Sequence, residues 1–338
     1  MKDFRHYNLL KHNTFGIEAH CRRFIEFDTV EELKALCHSL TDTDRPLMVI
    51  GGGSNLLLTK DFDGTVLHSA IKGIEKTAET TDHTFVRVGS GEVWDDFVAA
   101  CVTEGWHGAE NLSLIPGEVG ASAVQNIGAY GAEAKDIIYK VEAIETATGK
   151  EVVIDNAECH YGYRQSMFKT EWKGRYIVTH VTFRLNKAFT PQLDYGNILA
   201  QLHAEGIDTP TPLQLRNVII KIRREKLPDP MVEGNAGSFF MNPVVSRAKY
   251  DELATLYPGM PHYDIDADHV KIPAGWMIDQ CGWKGRTLGR AGVHSKQALV
   301  LVNRGGATGN EVVTLCTTIC NDVKQKFGID IYPEVNIL

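Results

Sequence analysis

The segment LMVIGGGSNLLL, residues 47–58, places three consecutive glycines between two apolar runs. Upstream, residues 24–27 are typical of a strand, and Thr29 with Glu32 three positions later has the spacing of a capping box at a helix start. This order predicts a strand, a helix and a second strand that ends in a glycine turn. Backbone amides in such a run of small residues can converge on a phosphate group, and a plain turn between strands is an equal alternative.

The turn lacks the third glycine of a dinucleotide-binding fingerprint, because Leu56 occupies the last position of G-x-G-x-x-G. A second glycine-rich stretch, IPGEVGASAVQNIGAYG at residues 115–131, follows a predicted strand (FVRVGSG) and a predicted helix (EVWDDFVAACVTEG). Two such loops at separate strand ends suit a large cofactor, with its pyrophosphate on one loop and its flat ring system along the backbone of the other. Surface loops that hold no ligand are the alternative.

The composition predicts two or three globular domains, since the chain has 338 residues of which 43% are hydrophobic and 23% charged. A formal charge of −8 disfavours nucleic acid and anionic lipid as partners. No window approaches the roughly 18 apolar residues of a membrane helix, and the N-terminal segment lacks the apolar core of a signal peptide. We therefore expect a cytoplasmic protein with no membrane segment.

The cysteine and histidine patterns do not indicate a metal site or a disulfide framework. The seven cysteines are scattered without a CxxC pair, and the thirteen histidines show no ligand spacing. Cys316 and Cys320 share one face of a predicted helix with Ile319 and Val323, which favours a buried stripe. We expect reduced cysteines and no bound metal.

The rest of the chain mixes strands and helices without strict alternation, which is typical of α+β domains. A hairpin that turns at Thr148 and Gly149 and the strand YIVTHVTFRL precede residues 189–211, where weak patterning predicts a mobile loop. The helix LQLRNVIIKIRREK must end before Pro228, and a glycine turn is predicted at residues 234–237. Further helices are predicted at SRAKYDELATLY, AGWMIDQC and EVVTLCTTICNDVKQKF, and strands at ALVLVN and the chain end.

Seven blocks occur in one order along nearly the whole chain: IGGGSNLLL, IPGEVGASAVQNIGAYG, YGYRQSMF, KLPDP, GNAGSFFMNPV, AGWMIDQCGWKG and YPEVNIL. Together they resemble the UDP-N-acetylenolpyruvoylglucosamine reductases of bacterial peptidoglycan synthesis. The resemblance implies an α+β protein with an FAD-binding fold of the vanillyl-alcohol oxidase type, made of two α+β subdomains, and a C-terminal α+β substrate-binding domain. The expected boundaries are 1–70 and 71–211 for the FAD-binding subdomains, 212–325 for the substrate domain, and 326–338 for a final strand that returns to the active site.

The same resemblance implies an oxidoreductase that acts in cell wall synthesis, and hence in cell shape and division. NADPH reduces a non-covalently bound FAD, which then reduces UDP-N-acetylglucosamine enolpyruvate to UDP-N-acetylmuramate. By motif match Arg164 binds the substrate carboxylate, Ser238 donates a proton to carbon, and Glu334 stabilises the enol form. The chain departs from the family pattern at Gln165 and Asn336, where relatives usually have Asp and Arg.

The resemblance also implies two sets of binding residues. The segment Leu193-Asp194-Tyr195-Gly196 looks like the tyrosine loop of the family's longer form. The expected cofactor-binding residues are Gly51, Gly52, Gly53, Ser54, Asn55, Pro116, Gly117, Gly120, Ser122, Asn126, Gly128 and Arg223. The expected substrate-binding residues are Tyr195, Lys226, Asn242, Tyr263, Lys271, Lys284 and Gln297.

Two other interpretations stay open from the sequence. A flavin oxidase of the same fold often tethers its flavin through histidine, and the GGGSN loop contains none. A sugar-nucleotide sensor without turnover would not need Arg164, Ser238 and Glu334 together. We expect a monomer whose partner is a small UDP-sugar, with no nucleic acid or membrane partner.

Overall fold

The chain contains eight α-helices and six sheets, and a computed structural model describes all of residues 1–338. The helices are α1 (Val30–Ser39), α2 (Trp94–Glu104), α3 (Val119–Gln125), α4 (Ile198–Ala204), α5 (Pro212–Lys226), α6 (Arg247–Leu256), α7 (Ala274–Gln280) and α8 (Gly309–Phe327). The strands are β1 (Lys2–Asn8), β2 (His20–Phe27), β3 (Leu47–Ile50), β4 (Leu56–Leu57), β5 (Phe62–Ser69), β6 (Ile74–Glu79), β7 (His83–Gly89), β8 (Gly128–Ala129), β9 (Ala132–Glu133), β10 (Ile138–Glu145), β11 (Glu151–Asp155), β12 (Tyr176–Asn186), β13 (Asn235–Ser238), β14 (Val244–Ser246), β15 (Tyr263–Asp264), β16 (His269–Lys271), β17 (Thr287–Leu288), β18 (Ala291–Val293), β19 (Val300–Asn303) and β20 (Asn336–Ile337).

The chain divides into two units, each assembled from three segments. The first unit comprises Met1–Tyr7, Cys21–Gly52 and Phe62–Arg224, and the second comprises Asn8–His20, Gly53–Asp61 and Glu225–Leu338. This division differs from the expected boundary at Pro212, since nearly all of α5 belongs to the first unit. The reason is that α5 buries Leu215 and Ile219 against Ile198 and Leu202 of α4.

The first unit contains a mostly parallel sheet and an antiparallel sheet. In the sheet of order β1-β2-β5-β3, β5 runs parallel to both β2 and β3. The second sheet, of order β11-β10-β12-β7-β6, is antiparallel throughout. Helix α1 begins where predicted, with the Thr29 hydroxyl oxygen accepting the Glu32 N–H at 3.1 Å. Its residue Leu33 packs with Leu67 of β5 and Ile144 of β10, so α1 and both sheets share one core.

The second unit packs its largest helix, α8, against a sheet of order β13-β19-β18-β17. The Thr308 hydroxyl oxygen accepts the Glu311 N–H at 3.3 Å at the start of α8, and Gly328 at φ +66° ends the helix. Cys316 lies on its buried face with Ile319, as predicted. A second sheet has the order β14-β16-β15, and the last strand, β20, runs parallel to β4.

Three segments differ from the sequence prediction. Residues 189–211 contain α4, because Ile198 and Leu202 are one helical turn apart and both are buried. The expected glycine turn at residues 234–237 forms most of β13, which pairs with β19. The glycine-rich stretch 115–131 contains both α3 and the short strand β8. None of the helices combines the length and the apolar character that a membrane-spanning helix needs.

Candidate active site

The two glycine-rich stretches meet inside the first unit. A Cβ atom on Gly52 would lie 3.6 Å from the Cα of Gly117, and a Cβ atom on Gly51 would lie 3.1 Å from Oε2 of Glu118. Side chains at either glycine would occupy the gap between the two backbones. Gly51 and Gly52 follow β3 at the carboxyl end of the parallel sheet. Their main chain has no side chains to block it, so the residues present fit the diphosphate of a nucleotide cofactor held by main-chain amides.

The remainder of the GGGSN turn, Gly53, Ser54 and Asn55, belongs to the second unit. Gly53 has φ +63°, and a Cβ atom there would lie 2.0 Å from the carbonyl oxygen of His12, so this position accepts only glycine. The Asn55 carbonyl accepts both the backbone N–H and the side-chain amide of Asn336 at 3.1 Å each. These bonds attach the chain end to the turn.

The second glycine-rich stretch encloses two of its predicted cofactor ligands. Ser122 is 1% exposed and its hydroxyl donates to the Val119 carbonyl at 2.6 Å. Asn126 is fully buried; its amide donates to the Gly162 carbonyl at 2.8 Å and its Oδ1 accepts the Lys135 N–H at 3.0 Å. In this structure both side chains hold the loop, and their contact with the cofactor stays a prediction.

Other predicted cofactor residues line the entry to α3 and the strand after it. Pro116 is exposed, and the next residue, Gly117, is partly buried and faces the glycine turn. Gly120 lies in the first turn of α3, where a Cβ atom would come within 2.7 Å of the Ser90 Cβ. Gly128 begins β8, and its carbonyl binds a predicted catalytic residue.

Two arginines bring positive charge to the loop that follows α3. Arg164, at φ +56°, donates from Nη2 to the Gly128 carbonyl at 2.7 Å. Arg223 of α5 donates from Nε to the Leu114 carbonyl at 3.3 Å. Burial lowers the pKa of Arg223, and the nearby charge of Arg164 lowers it further. An anionic group bound at this loop would relieve that repulsion in a poorly hydrated site.

The tyrosine loop is held against the glycine-rich stretch by a residue that sequence reasoning missed. Asn111 is 4% exposed, and its amide donates to the Tyr130 carbonyl at 2.8 Å and to the Gln192 carbonyl at 3.0 Å. A Cβ atom on Gly131 would lie 3.4 Å from the Cβ of Tyr195. The predicted substrate residue Tyr195 is half exposed. It lies over the second glycine-rich stretch, and the hydrogen bonds of Asn111 join the loop of Tyr195 to that stretch.

In the second unit, Ser238 and Glu334 come from segments joined by main-chain bonds. The Phe239 N–H donates to the Leu299 carbonyl at 2.7 Å, and the Phe239 carbonyl accepts the Glu334 N–H at 2.8 Å. The Asn55 amide donates to the Glu334 carbonyl at 3.4 Å. The structure thus brings together three predicted residues, Ser238, Glu334 and Asn55, that are far apart in sequence.

The predicted substrate residues of the second unit form smaller groups. Tyr263 and Lys271 pair directly across β15 and β16, so their side chains share one face of that sheet. Asn242 accepts the Ala274 N–H at 2.9 Å, which fixes the start of α7. Gln297 accepts the N–H two residues further on at 3.3 Å.

The last two predicted lysines are exposed. Lys226 lies at the end of α5, and Lys284 pairs with Asp279 at 3.3 Å rather than with another predicted residue. Their roles stay predictions. No group of three His, Cys, Asp or Glu side chains is arranged to hold a metal ion.

A buried group of charged residues beside the glycine turn was also missed. His68 of β5 lies between Glu26 and Glu118, with Nδ1 2.9 Å from Glu26 Oε2 and Nε2 3.0 Å from Glu118 Oε1. These residues come from three separate elements, and no motif in the sequence links them. The sequence offers one signal for this group of charged residues, which is the position of Glu118 inside the second glycine-rich stretch.

Comparisons with known proteins match both parts of the chain. Residues 22–155 match the FAD binding domain family, and residues 229–338 match the C-terminal domain of UDP-N-acetylenolpyruvoylglucosamine reductase. A UDP-N-acetylenolpyruvoylglucosamine reductase of Bacteroides fragilis is 58% identical over 332 residues, 98% of this chain and 99% of the relative. One of Burkholderia vietnamiensis is 48% identical over 328 residues, 96% of this chain and 94% of the relative.

The fold has a counterpart among solved structures. The crystal structure of UDP-N-acetylenolpyruvylglucosamine reductase (MurB) from Thermus caldophilus matches with a TM-score of 0.69 and 23% identity, covering 99% of this chain and 98% of that one. At this identity the likeness shows the fold.

An FAD-binding domain followed by this C-terminal domain defines the class of protein: an oxidoreductase that contains FAD. The chain belongs to the UDP-N-acetylenolpyruvoylglucosamine reductase family. The family, the α+β fold class and the FAD cofactor predicted from the sequence are confirmed.

Proposed function

We propose that this chain reduces the enolpyruvyl ether of UDP-N-acetylglucosamine to UDP-N-acetylmuramate with NADPH as reductant, a step in peptidoglycan precursor synthesis. Its relatives at 58% and 48% identity carry the name of this reductase over nearly their full length. FAD bound without a covalent link would supply the transfer of hydride from NADPH to the sugar nucleotide. The reaction adds one hydride to the terminal CH2 carbon and one proton to the carbon that bears the ether oxygen, so the double bond becomes a CH–CH3 unit.

Arg164 binds the substrate carboxylate. Its bond to the Gly128 carbonyl at 2.7 Å holds the guanidinium, and a planar guanidinium suits a carboxylate because it donates two parallel hydrogen bonds. Charge that develops next to the carboxylate during hydride addition is stabilised by the same cation. The neighbouring Arg223 adds to the positive charge of the loop.

The pairing of the Ser238 and Glu334 segments is the observation that carries the proposal. The main-chain bond of 2.8 Å between Phe239 and Glu334 puts a hydroxyl and a carboxyl on adjacent segments of one unit. The chemistry needs these two groups, because one must donate a proton to carbon and the other must stabilise the enol form. Neither a sensor nor an oxidase requires both.

The other predicted residues bind the nucleotide and the sugar. Lys226, Lys271 and Lys284 supply local positive charge for a diphosphate, which the net charge of −8 would otherwise repel. Asn242, Tyr263 and Gln297 supply hydrogen bonds, and Tyr195 contacts the nucleotide from its loop. We place the enzyme in the cytoplasm as a monomer.

Absorption spectra of the purified holoprotein under anaerobic conditions test this function. NADPH should bleach the flavin bands, and the enolpyruvyl sugar nucleotide should restore them. Bands that return with oxygen but not with this substrate would indicate an oxidase. Bands that NADPH leaves unchanged would exclude the reductase function.

A further inference from the structure

His68 makes two hydrogen bonds that a neutral imidazole cannot make to two carboxylates. A neutral ring has one N–H donor, whereas ionised Glu26 and Glu118 can only accept. Both ring nitrogens nevertheless lie within 3.0 Å of a carboxylate oxygen. The three side chains are 13–16% exposed, so water does not readily replace either bond. The group therefore holds one proton in addition to the single N–H of a neutral ring.

The charges around His68 balance only when that proton is present. Glu26 pairs with Lys2 at 2.6 Å, which leaves Glu118 opposite the imidazolium. Within the sheet, Ile50 of β3 and Glu26 of β2 flank His68. The other ring near it is Phe24, with centroids 6.2 Å apart, which carries no charge. Loss of the proton would leave Glu118 as an uncompensated buried carboxylate.

Glu118 is the carboxylate closest to the glycine turn. Its Oε2 would lie 3.1 Å from a Cβ atom on Gly51, and its Oε1 would lie 4.0 Å from one on Gly52. Gly51 directly follows Ile50, the residue paired with His68 in the parallel sheet. An anionic diphosphate at this turn would be repelled by an unbalanced Glu118 and accepted beside a balanced one.

We propose that protonated His68 offsets the charge of Glu118 beside Gly51 and Gly52, and that FAD is held more weakly once this proton leaves. The proposal rests on the proposed placement of the FAD diphosphate at this turn. His68 acts through Glu118 and is a positioning residue. Burial by itself lowers the pKa of His68, but the hydrogen bonds and charges of Glu118 and Glu26 outweigh it and leave the pKa raised.

The direction of the pH effect follows from that shift. Below the raised pKa of His68 the proton is in place and the FAD dissociation constant should not depend on pH. Above it the constant should rise, by roughly 10-fold in total, the order expected for a change of one unit charge beside an anion in a partly screened site. Dilution of the holoprotein at pH values from 6 to 9, with the fluorescence of released FAD as the readout, measures this constant without substrate.

Three variants separate a charge effect from a structural one. Glu118→Gln removes the carboxylate whose charge the proton offsets, so the variant should retain FAD at pH 9 as well as the wild-type protein does below the pKa of His68. His68→Gln leaves Glu118 unbalanced at every pH, so FAD should be released about 10-fold more readily than from the protonated wild-type protein and as readily as from wild type at pH 9. The double variant His68→Gln with Glu118→Gln should regain the affinity that His68→Gln lost, which a merely structural role for His68 would not allow.

His180→Gln is the matched control, since His180 is another buried histidine beside a carboxylate, with Nδ1 2.9 Å from Arg87 and 3.8 Å from Glu142. FAD retention should not change in this variant. The proposal is overturned if Glu118→Gln releases FAD at pH 9 as readily as the wild-type protein does, or if the double variant binds FAD no better than His68→Gln. If His68→Gln does not fold, the release of FAD from Glu118→Gln by itself tests the proposal. A wild-type protein that binds no FAD would instead refute the proposed function.

Discussion

Three residues of the first unit's candidate site are held by side-chain bonds, whereas the second unit joins the segments of Ser238 and Glu334 through the main chain. Arg164, Asn126 and Asn111 each donate from a side chain to backbone carbonyls of other loops. Ser238 and Glu334 instead lie on segments joined by backbone N–H and carbonyl groups. Substitution of the first three residues should therefore reduce stability together with function, whereas substitution of the Ser238 side chain should affect function alone. The following predictions test that difference.

The largest effect should come from Ser238→Ala. We expect reoxidation of the reduced flavin by the enolpyruvyl substrate to slow by roughly 10²- to 10⁴-fold, the usual loss when a general acid is removed. Bleaching by NADPH should stay near the wild-type rate, because that half-reaction delivers no proton to carbon. Anaerobic stopped-flow on each half-reaction measures both rates.

The stability of Ser238→Ala tests the difference between the two units directly. Its urea midpoint should match wild type, because no side-chain bond is needed to keep the Phe239–Glu334 pairing. Ser238→Cys should recover part of the lost rate, since a thiol can also donate. Equal slowing of both half-reactions would show that Ser238 only shapes the pocket.

The second prediction concerns Arg164→Lys. Lysine cannot reproduce the bond to the Gly128 carbonyl and two parallel bonds to a carboxylate at once, so kcat/KM for the sugar nucleotide should fall by about 10- to 100-fold. In contrast with Ser238→Ala, the free energy of unfolding should also fall, by about 1–2 kcal/mol. Steady-state kinetics and urea unfolding measure the two effects.

Arg175→Lys is the matched control for Arg164→Lys. Both guanidinium groups lie over an adjacent tyrosine ring, 5.5 Å from the Tyr163 centroid for Arg164 and 4.9 Å from the Tyr176 centroid for Arg175. Arg175 is exposed and pairs with Glu145. Its replacement should change neither kinetics nor stability appreciably. The same loss of kcat/KM in both variants would remove Arg164 from the carboxylate site.

The third prediction uses two asparagines with equivalent bonds. Asn111 joins the Tyr130 and Gln192 carbonyls, and Asn156 joins the Lys135 and Ile138 carbonyls. Replacement of either residue by alanine should lower the free energy of unfolding by about 1–3 kcal/mol.

The kinetics should separate this asparagine pair. Only Asn111→Ala releases the loop of Tyr195, so only it should raise KM for the sugar nucleotide, by about 3- to 10-fold, with kcat little changed. Tyr195→Phe should move KM in the same direction. A KM in Asn111→Ala equal to that of Asn156→Ala would show that the loop position does not depend on the Asn111 bonds.

The smallest effect should follow Asn336→Ala. The side-chain amide of Asn336 donates to the Asn55 carbonyl at 3.1 Å at an exposed position, while its backbone N–H donates to the same oxygen. Because the main-chain bond remains, we expect less than about 0.5 kcal/mol of lost stability and wild-type kinetics. A large loss of stability would mean that side chains also hold the second unit together.

The sequence predicted most secondary structure because the signals are local. Thr29 caps α1, Gly328 ends α8, and the glycine turn follows β3. Helix α4 was missed because its buried face is only two residues wide, Ile198 and Leu202, within a polar stretch. The glycines at residues 234–237 predict a turn, although pairing with β19 makes most of this segment a strand.

The seven sequence blocks by themselves determined the family, the fold class, the FAD cofactor and the identity of the candidate residues, because motif order and residue type are properties of the chain. Tertiary structure decided which of those residues meet. The bond from Asn55 to Glu334 spans 279 positions, and His68 lies between carboxylates 42 and 50 positions away. Such contacts depend on how buried side chains pack across sheets and helices, and no local pattern of hydrophobic residues specifies that packing.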